Sequence, residues 1–351
     1  MRLLILLVAA LLAAGLAPIM RRLAIALGAQ DDPGDARKVH LATMPRLGGI
    51  AILAGTLIAV ATGVALGAPG AARILEFPRP ILGLAAAAIV VAIFGLIDDV
   101  YDLAPGWNLA AQILAAAIAW EAGFRWERIE IGVHSFDLGS AALPFTVLFF
   151  LTVMNALNLV DGLDGLAAAL SLIALLVLLT QAVIGGGPVA SIVGLALAGG
   201  IAGFLVENLH PARQFMGTCG SQLIGLLLAS LAVGTLRGRV GVNPAIPLLA
   251  FGIPLLDMTM AILRRVSRGA SPLRGDREHL HHRLLDRGLT QGRAVLTLAL
   301  LQGLFASLAL IALLVPERWS LIPIVPGLLL AITIGWVIGR PSLPGRPGAA
   351  P

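Results

Sequence analysis

The chain has 351 residues, of which 58% are hydrophobic and only 12% charged, with a mean hydropathy of +0.96. Soluble domains carry roughly 25% charged residues, so the composition excludes an ordinary water-soluble enzyme and points into a bilayer. The net charge of +5 comes from 23 arginines and one lysine, Lys38. Arginines beside apolar runs are what membrane orientation demands, so no nucleic-acid partner is expected. The single cysteine, Cys219, excludes an intramolecular disulfide and a multi-cysteine metal site.

Apolar runs long enough to cross ~30 Å of hydrocarbon recur along the chain, and only helices satisfy their backbone there. We read about eleven spans: 3–20, 47–67, 80–97, 108–122, 143–159, 166–184, 189–206, 221–236, 244–263, 294–315 and 320–338. Residues 1–20 have the look of a signal peptide, but further spans follow, and a first membrane helix is the expectation. With the first loop on the cytoplasmic side, 16 of the 24 Lys and Arg fall on that side and seven on the other, with Arg2 at the N-terminus. This bias places the N-terminus outside and the C-terminus inside. Segment 124–139 alternates apolar and polar residues and predicts a small outer β-hairpin. The expected fold is an all-α polytopic membrane bundle over residues 1–339, with active-site loops on the cytoplasmic face. A Pro/Gly/Arg-rich tail, 340–351, is expected to be disordered.

Four polar constellations interrupt the apolar pattern. The first loop ends RKVHLATMPRLGGIA, placing Lys38, His40 and Arg46 at headgroup level, where basic groups suit a lipid phosphate. An ordinary basic flank has the same composition. Next, Asp98, Asp99 and Asp102 close the third span at helical spacing. Carboxylates this close repel unless a cation lies among them, and Mg²⁺ typically takes one or two carboxylates plus substrate phosphates. A solvated acidic helix end is the plain alternative.

The third constellation, NALNLVDGLDG, sets Asn155, Asn158, Asp161 and Asp164 at i+3 steps, predicting one slowly drifting helical stripe. Polar groups at the end of a span are costly and functional by default, with a purely structural polar seam between helices as the alternative. The fourth, SPLRGDREHLHHRLLDRGLTQ, gathers Arg274, Asp276, Arg277, His279, His281, His282 and Arg283. Adjacent histidines without a nearby cysteine fit zinc poorly. Arginine matches phosphate geometry, so an anion-binding loop is expected there.

With these four motifs in order, the sequence resembles the bacterial polyprenyl-phosphate N-acetylhexosamine-1-phosphate transferases over nearly its whole length. The resemblance implies a reaction that starts envelope polysaccharides: a UDP-amino sugar plus polyprenyl phosphate gives polyprenyl-diphospho-sugar and UMP. It implies Mg²⁺, with Mn²⁺ an alternative, and leaves a homodimer open. It assigns Asp98, Asp99 and Asp161 to catalysis and the metal, with Asn155, Asn158 and Asp164 lining the nucleotide-diphosphate site. Arg277, His279, His281 and His282 would contact sugar or pyrophosphate; Lys38, His40 and Arg46 would serve the lipid-phosphate or nucleotide region. One position departs. The family's Phe-Met-Gly-Asp-x-Gly-Ser reads FMGTCGS here, so Thr218 stands where the resemblance places a principal Mg²⁺ ligand. A catalytically impaired relative that binds nucleotide-sugar or lipid carrier is therefore one alternative, and a transporter of anionic lipid is another.

Overall fold

The computed structural model describes residues 1–33, 43–131, 133–233, 241–271 and 277–339. The tail 340–351 and the first-loop residues Lys38 and His40 lie outside the described residues. Among them the fold is helical: α1 (Arg2–Leu27), α2 (Gly48–Ala65), α3 (Ala71–Glu76), α4 (Arg79–Tyr101), α5 (Pro105–Glu121), α6 (Ala142–Val160), α7 (Leu166–Ile184), α8 (Pro188–Asn208), α9 (Gly217–Val233), α10 (Ala245–Ala250), α11 (Gly252–Ser267), α12 (Leu280–Asp286), α13 (Gln291–Leu314) and α14 (Ile324–Val337).

Among the described residues, seven helices are long and apolar enough to cross a membrane by themselves: α1, α2, α4, α6 with the turn before it, α7, α8 and α13. The other expected spans are shorter apolar helices, such as α9 with 17 residues and α14 with 14. Of about eleven spans expected, seven are thus long helices among the described residues and the rest fall on shorter ones. Large apolar side chains such as Leu11, Leu148, Leu176 and Ile332 project outward from the bundle. For a protein of this composition the surroundings of those side chains are lipid.

α8 lies at the centre. Its Gly199 and Gly203, one turn apart, pack against the Leu6 and Ala10 carbonyls of α1, and Gly200 packs against α2. Small residues at turn spacing let membrane helices approach backbone to backbone, where dispersion contacts replace the hydrophobic drive absent in lipid.

The run 244–263, read as one span, is two helices that break at Phe251. Pro254 has no N–H to offer the Ala250 carbonyl four residues earlier. Gln302 of α13 repairs the gap: its Nε2 donates to the Ala250 carbonyl at 2.5 Å, and its Oε1 accepts from the Ile253 N–H at 3.0 Å. An apolar environment requires this kind of side-chain repair at a broken helix.

The expected hairpin forms. β3 (Arg128–Ile131) pairs antiparallel with β4 (His134–Asp137), and β5 (Gly241–Val242) adds in parallel to β3. A second, unexpected pairing joins β1 (Gln30–Asp31) to β2 (Met44–Pro45) and closes the first loop.

Candidate active site

At one end of the bundle, Asp31, Arg46, Asp99, Asn158, Asp161, Phe215, Gly217 and Thr218 line a cavity of about 170 Å³. These residues come from the first loop, the ends of α4 and α6, and the start of α9. Backbone bonds knit the wall together. Phe215 N–H donates to the Pro45 carbonyl at 2.8 Å, and Gly48 and Gly49 N–H donate to the Phe215 and Met216 carbonyls. Gly49 and Gly220 lie backbone against backbone, so α2 and α9 meet where a Cβ on either has no room.

Asp99 is buried on α4 and faces the start of α9. Its Oδ1 accepts from the Thr218 N–H at 2.9 Å and its Oδ2 from the Cys219 N–H at 3.2 Å. Free N–H groups at a helix start favour an anion in this position. Gly217 makes the arrangement possible. Its φ is +72°, and a Cβ would collide with both the Arg46 carbonyl and the Asp99 carboxylate. The neighbouring aspartates diverge from it. Asp98 Oδ1 accepts from the Leu103 N–H at 3.1 Å and is not part of the cavity wall, while Asp102 ends α4 in a left-handed conformation.

The helical stripe expected for NALNLVDGLDG holds only for its first half. α6 ends at Val160, and Asp161 leaves the helix with ψ 56°. The chain then turns through Gly162 and Gly165 before α7, so the four side chains go to three places. Asn155 Nδ2 donates to Gln112 Oε1 of α5 at 2.6 Å and to the Leu151 carbonyl. Asn158 lines the cavity and accepts from Ser221 Oγ of α9 at 2.8 Å. Asp161 lines the cavity too. Asp164 Oδ2 instead meets His210 Nδ1 at 2.8 Å and the Ala212 N–H at 3.0 Å, pinning the loop that leads to Phe215.

Asp161 differs from its neighbours: no hydrogen bond or ion pair reaches its carboxylate among the described residues. Burial, then the charges of Asp99 and Asp164, push it up to about 7. Arg46 and Asp31 form a direct ion pair across the mouth. With all acids ionised, three carboxylates and one guanidinium leave the cavity two negative charges, the complement of one divalent cation. The oxygen donors of Asp99, Asp161, Asn158 and Thr218 are the hard ligands Mg²⁺ prefers. No group of three or more carboxylate, imidazole or thiolate side chains is poised to enclose a metal among the described residues. The fit is therefore to an ion that draws its remaining ligands from substrate and water.

The histidine loop closes over this end. His281 stands against Gly162, the residue after Asp161, so closely that a Cβ there would strike its ring. His279, His281 and His282 are buried and in ring contact: His279 stacks on His281, and the His281 and His282 rings are tilted with centroids 4.1 Å apart. Burial, reinforced by the other two rings, holds His281 well below its ordinary value, and its Nε2 has no partner. Arg277 is exposed at the loop's edge. Glu278 is gripped by Arg268 and Arg283, with Arg264 3.6 Å away. The hydrogen bond from Arg268 is the main cause that keeps its carboxyl below the usual range.

Residues 81–235 match the model of glycosyl transferase family 4. The chain is 32% identical over 298 residues to a Bacillus subtilis protein described as a probable undecaprenyl-phosphate N-acetylglucosaminyl 1-phosphate transferase, covering 84% of this chain and 80% of the relative. The chain belongs to glycosyl transferase family 4. Other members include the decaprenyl-phosphate N-acetylglucosaminephosphotransferase of Mycolicibacterium smegmatis, 35% identical over 82% of this chain and 76% of that one. The undecaprenyl-phosphate alpha-N-acetylglucosaminyl 1-phosphate transferase of Haemophilus influenzae is 31% identical over 84% and 82%. The family match spans Asp99, Asn158, Asp161, Phe215, Gly217 and Thr218, six of the residues that line the cavity.

Two residues at this end of the family fold went unread in the sequence. Asp31 precedes the motif that drew attention to the first loop, and only the β1–β2 pairing brings it beside Arg46. Asp257, 2.9 Å from Nδ1 of His279, sits in an apolar run, and its carboxylate in such a run was the available signal.

Proposed function

We propose that this protein transfers N-acetylhexosamine-1-phosphate, with N-acetylglucosamine as the first sugar to test, from a UDP-sugar to polyprenyl phosphate. An oxygen of the lipid phosphate attacks the sugar-bearing phosphorus. A new P–O bond forms, the bond to UMP breaks, and UMP leaves with the electron pair. The lipid phosphate is already anionic, so the chain's task is to place two anions in line and offset their charge.

The observation that carries this reading is the net-negative cavity in which Asp161 presents a carboxylate that no group among the described residues engages. Asp99 and Asp161, helped by Asn158 and Thr218, would hold Mg²⁺. Such an ion polarises phosphoryl oxygens and offsets charge in the transition state. Arg46 is placed to release Asp31 in favour of a phosphate oxygen, and a guanidinium binds such oxygens in pairs. Lys38 and His40 of the same loop would add charge for the lipid phosphate. The histidine loop, with Arg277 at its edge, would cover the sugar and diphosphate and exclude water. In this reading the site faces the cytoplasm of a bacterial inner membrane, with the N-terminus outside.

The test uses purified protein in lipid with UDP-N-acetylglucosamine, polyprenyl phosphate and Mg²⁺. UMP and lipid-linked diphospho-sugar are expected in equal amounts, and neither without the divalent ion. Thr218 favours a second reading, a relative that binds the nucleotide-sugar without turning it over. That reading expects saturable UDP-sugar binding and no UMP.

A further inference from the structure

Between the start of α4 and the end of α5, Leu82, Gly83, Ala117, Ile118 and Ala122 line an apolar groove of about 590 Å³. That volume lies within the roughly 300–1,000 Å³ range of small-molecule sites. Gly83 sits so close to α5 that a Cβ there would strike the Ala122 methyl. The helices touch at that point, and the short side chains of Ala117 and Ala122 leave the hollow beside it. α4 has 23 residues, ~35 Å at 1.5 Å per residue, enough to cross the hydrocarbon. Asp99 of the active-site cavity is in its last turn, so the groove opens at the opposite membrane boundary.

Two charges of opposite sign stand on the rim. Arg79 and Glu121 are 3.5 Å apart with 76% of each side chain exposed, and no other ion pair engages either among the described residues. An exposed pair of this kind contributes little to stability, so a ligand can take both ends at little cost to the fold. Trp120, the residue before Glu121, has the Arg125 guanidinium 5.6 Å from its ring centroid. Tryptophan beside arginine is what headgroup level selects. An anionic ligand over this rim would be repelled by Glu121, and a cationic one by Arg79. A zwitterion satisfies both, and the apolar groove takes its hydrocarbon chain.

We propose that this groove binds a phospholipid with a primary ammonium in its headgroup: the phosphate on Arg79, the ammonium on Glu121 and an acyl chain between Leu82 and Ile118. A guanidinium binds phosphate oxygens in pairs. A primary ammonium has N–H groups to donate to a carboxylate, whereas a quaternary ammonium has none. Glu121 therefore selects between headgroups of equal net charge. In the orientation proposed above, the lipid belongs to the outer leaflet. The site is apart from the transfer chemistry and does not depend on it.

Full-length protein in detergent is titrated with the dioleoyl forms of phosphatidylethanolamine, phosphatidylcholine or phosphatidylglycerol, and bound lipid is read by native mass spectrometry. The first phosphatidylethanolamine should bind about tenfold more tightly than either of the others, the scale of one charge-assisted hydrogen bond. Glu121→Gln should remove its preference over phosphatidylcholine, and Arg79→Gln should weaken its binding about tenfold. Ala117→Leu, which fills the groove and keeps both charges, should weaken all three lipids. Phosphatidylcholine or phosphatidylglycerol binding as tightly as phosphatidylethanolamine overturns the proposal. So does a preference that survives Glu121→Gln, or binding unchanged in Arg79→Gln or Ala117→Leu. Arg79 and Glu121 are exposed, so their variants decide the matter even where Ala117→Leu folds poorly. No turnover enters the readout, and a wild type that releases no UMP counts against the transferase reading alone.

Discussion

α6 and its end carry two polar patches that look alike in sequence and behave oppositely in the fold. At Asn155 the amide is matched by Gln112 across the helix pair, and the two close on each other. At Asp161 the carboxylate meets no donor among the described residues, faces Asp99, and opens on a cavity. Buried polar groups that satisfy one another specify packing, whereas an unmatched buried carboxylate costs stability and is kept for a ligand. The spacing of the residues does not separate the two cases. The partner on the facing helix does.

The largest expected effect separates them directly. Asp161→Asn removes a cation ligand, so UMP release should fall by about 10²-fold or more, the scale seen when one preorganised charge-stabilising group is lost. Its melting temperature should hold or rise, because a desolvated charge has gone. Asn155→Leu should do the reverse. It strands Gln112 and costs about 1–3 kcal/mol in thermal or denaturant unfolding, with turnover per folded molecule nearly normal. Asn155→Leu with Gln112→Leu should recover most of that stability. If Asn155→Leu abolishes turnover while leaving stability intact, the division between the patches is wrong.

Thr218→Asp sharpens the comparison from the other side, since it adds a carboxylate to the cavity wall. Mg²⁺ should then half-saturate turnover at roughly tenfold lower concentration, about 1.4 kcal/mol of added affinity. Unchanged or lower activity contradicts this account of position 218.

The smallest effect concerns pH. His281 is held below its ordinary value of 6.5 in the fold. Above pH 6.5 the ring is neutral in both states and costs nothing. As pH falls below 6.5 the unfolded chain takes up a proton that the folded chain refuses, so the histidine loop loses stability. Protection against hydrogen exchange over residues 277–289, relative to the intrinsic rate at each pH, should be lower at about pH 5.5 than at about pH 7.5, and His281→Gln should flatten the difference.

Much of this fold was legible from the apolar runs and from the alternation at 128–137, because lipid enforces helices and half-exposed strands enforce alternation. The break at Phe251 was only half visible: Pro254 announces it, but the repair by Gln302 comes from a separate helix. The four i+3 positions pointed to the right region, yet a spacing rule presumes a continuing helix, and the turn through Gly162 and Gly165 ends it at Val160. Asp31 and Asp257 enter through contacts of long sequence separation, which no local pattern records.

The central claim is that Asp99 and Asp161 hold a divalent ion against a diphosphate. Titrating Mn²⁺ into the protein with UDP present, and reading bound metal by electron paramagnetic resonance, tests it most directly. The account predicts a UDP-dependent bound-Mn²⁺ signal in the wild type that is lost in Asp161→Asn and kept in Asn155→Leu with Gln112→Leu. A signal of equal strength in Asp161→Asn, or none in a wild type that releases UMP, would contradict it.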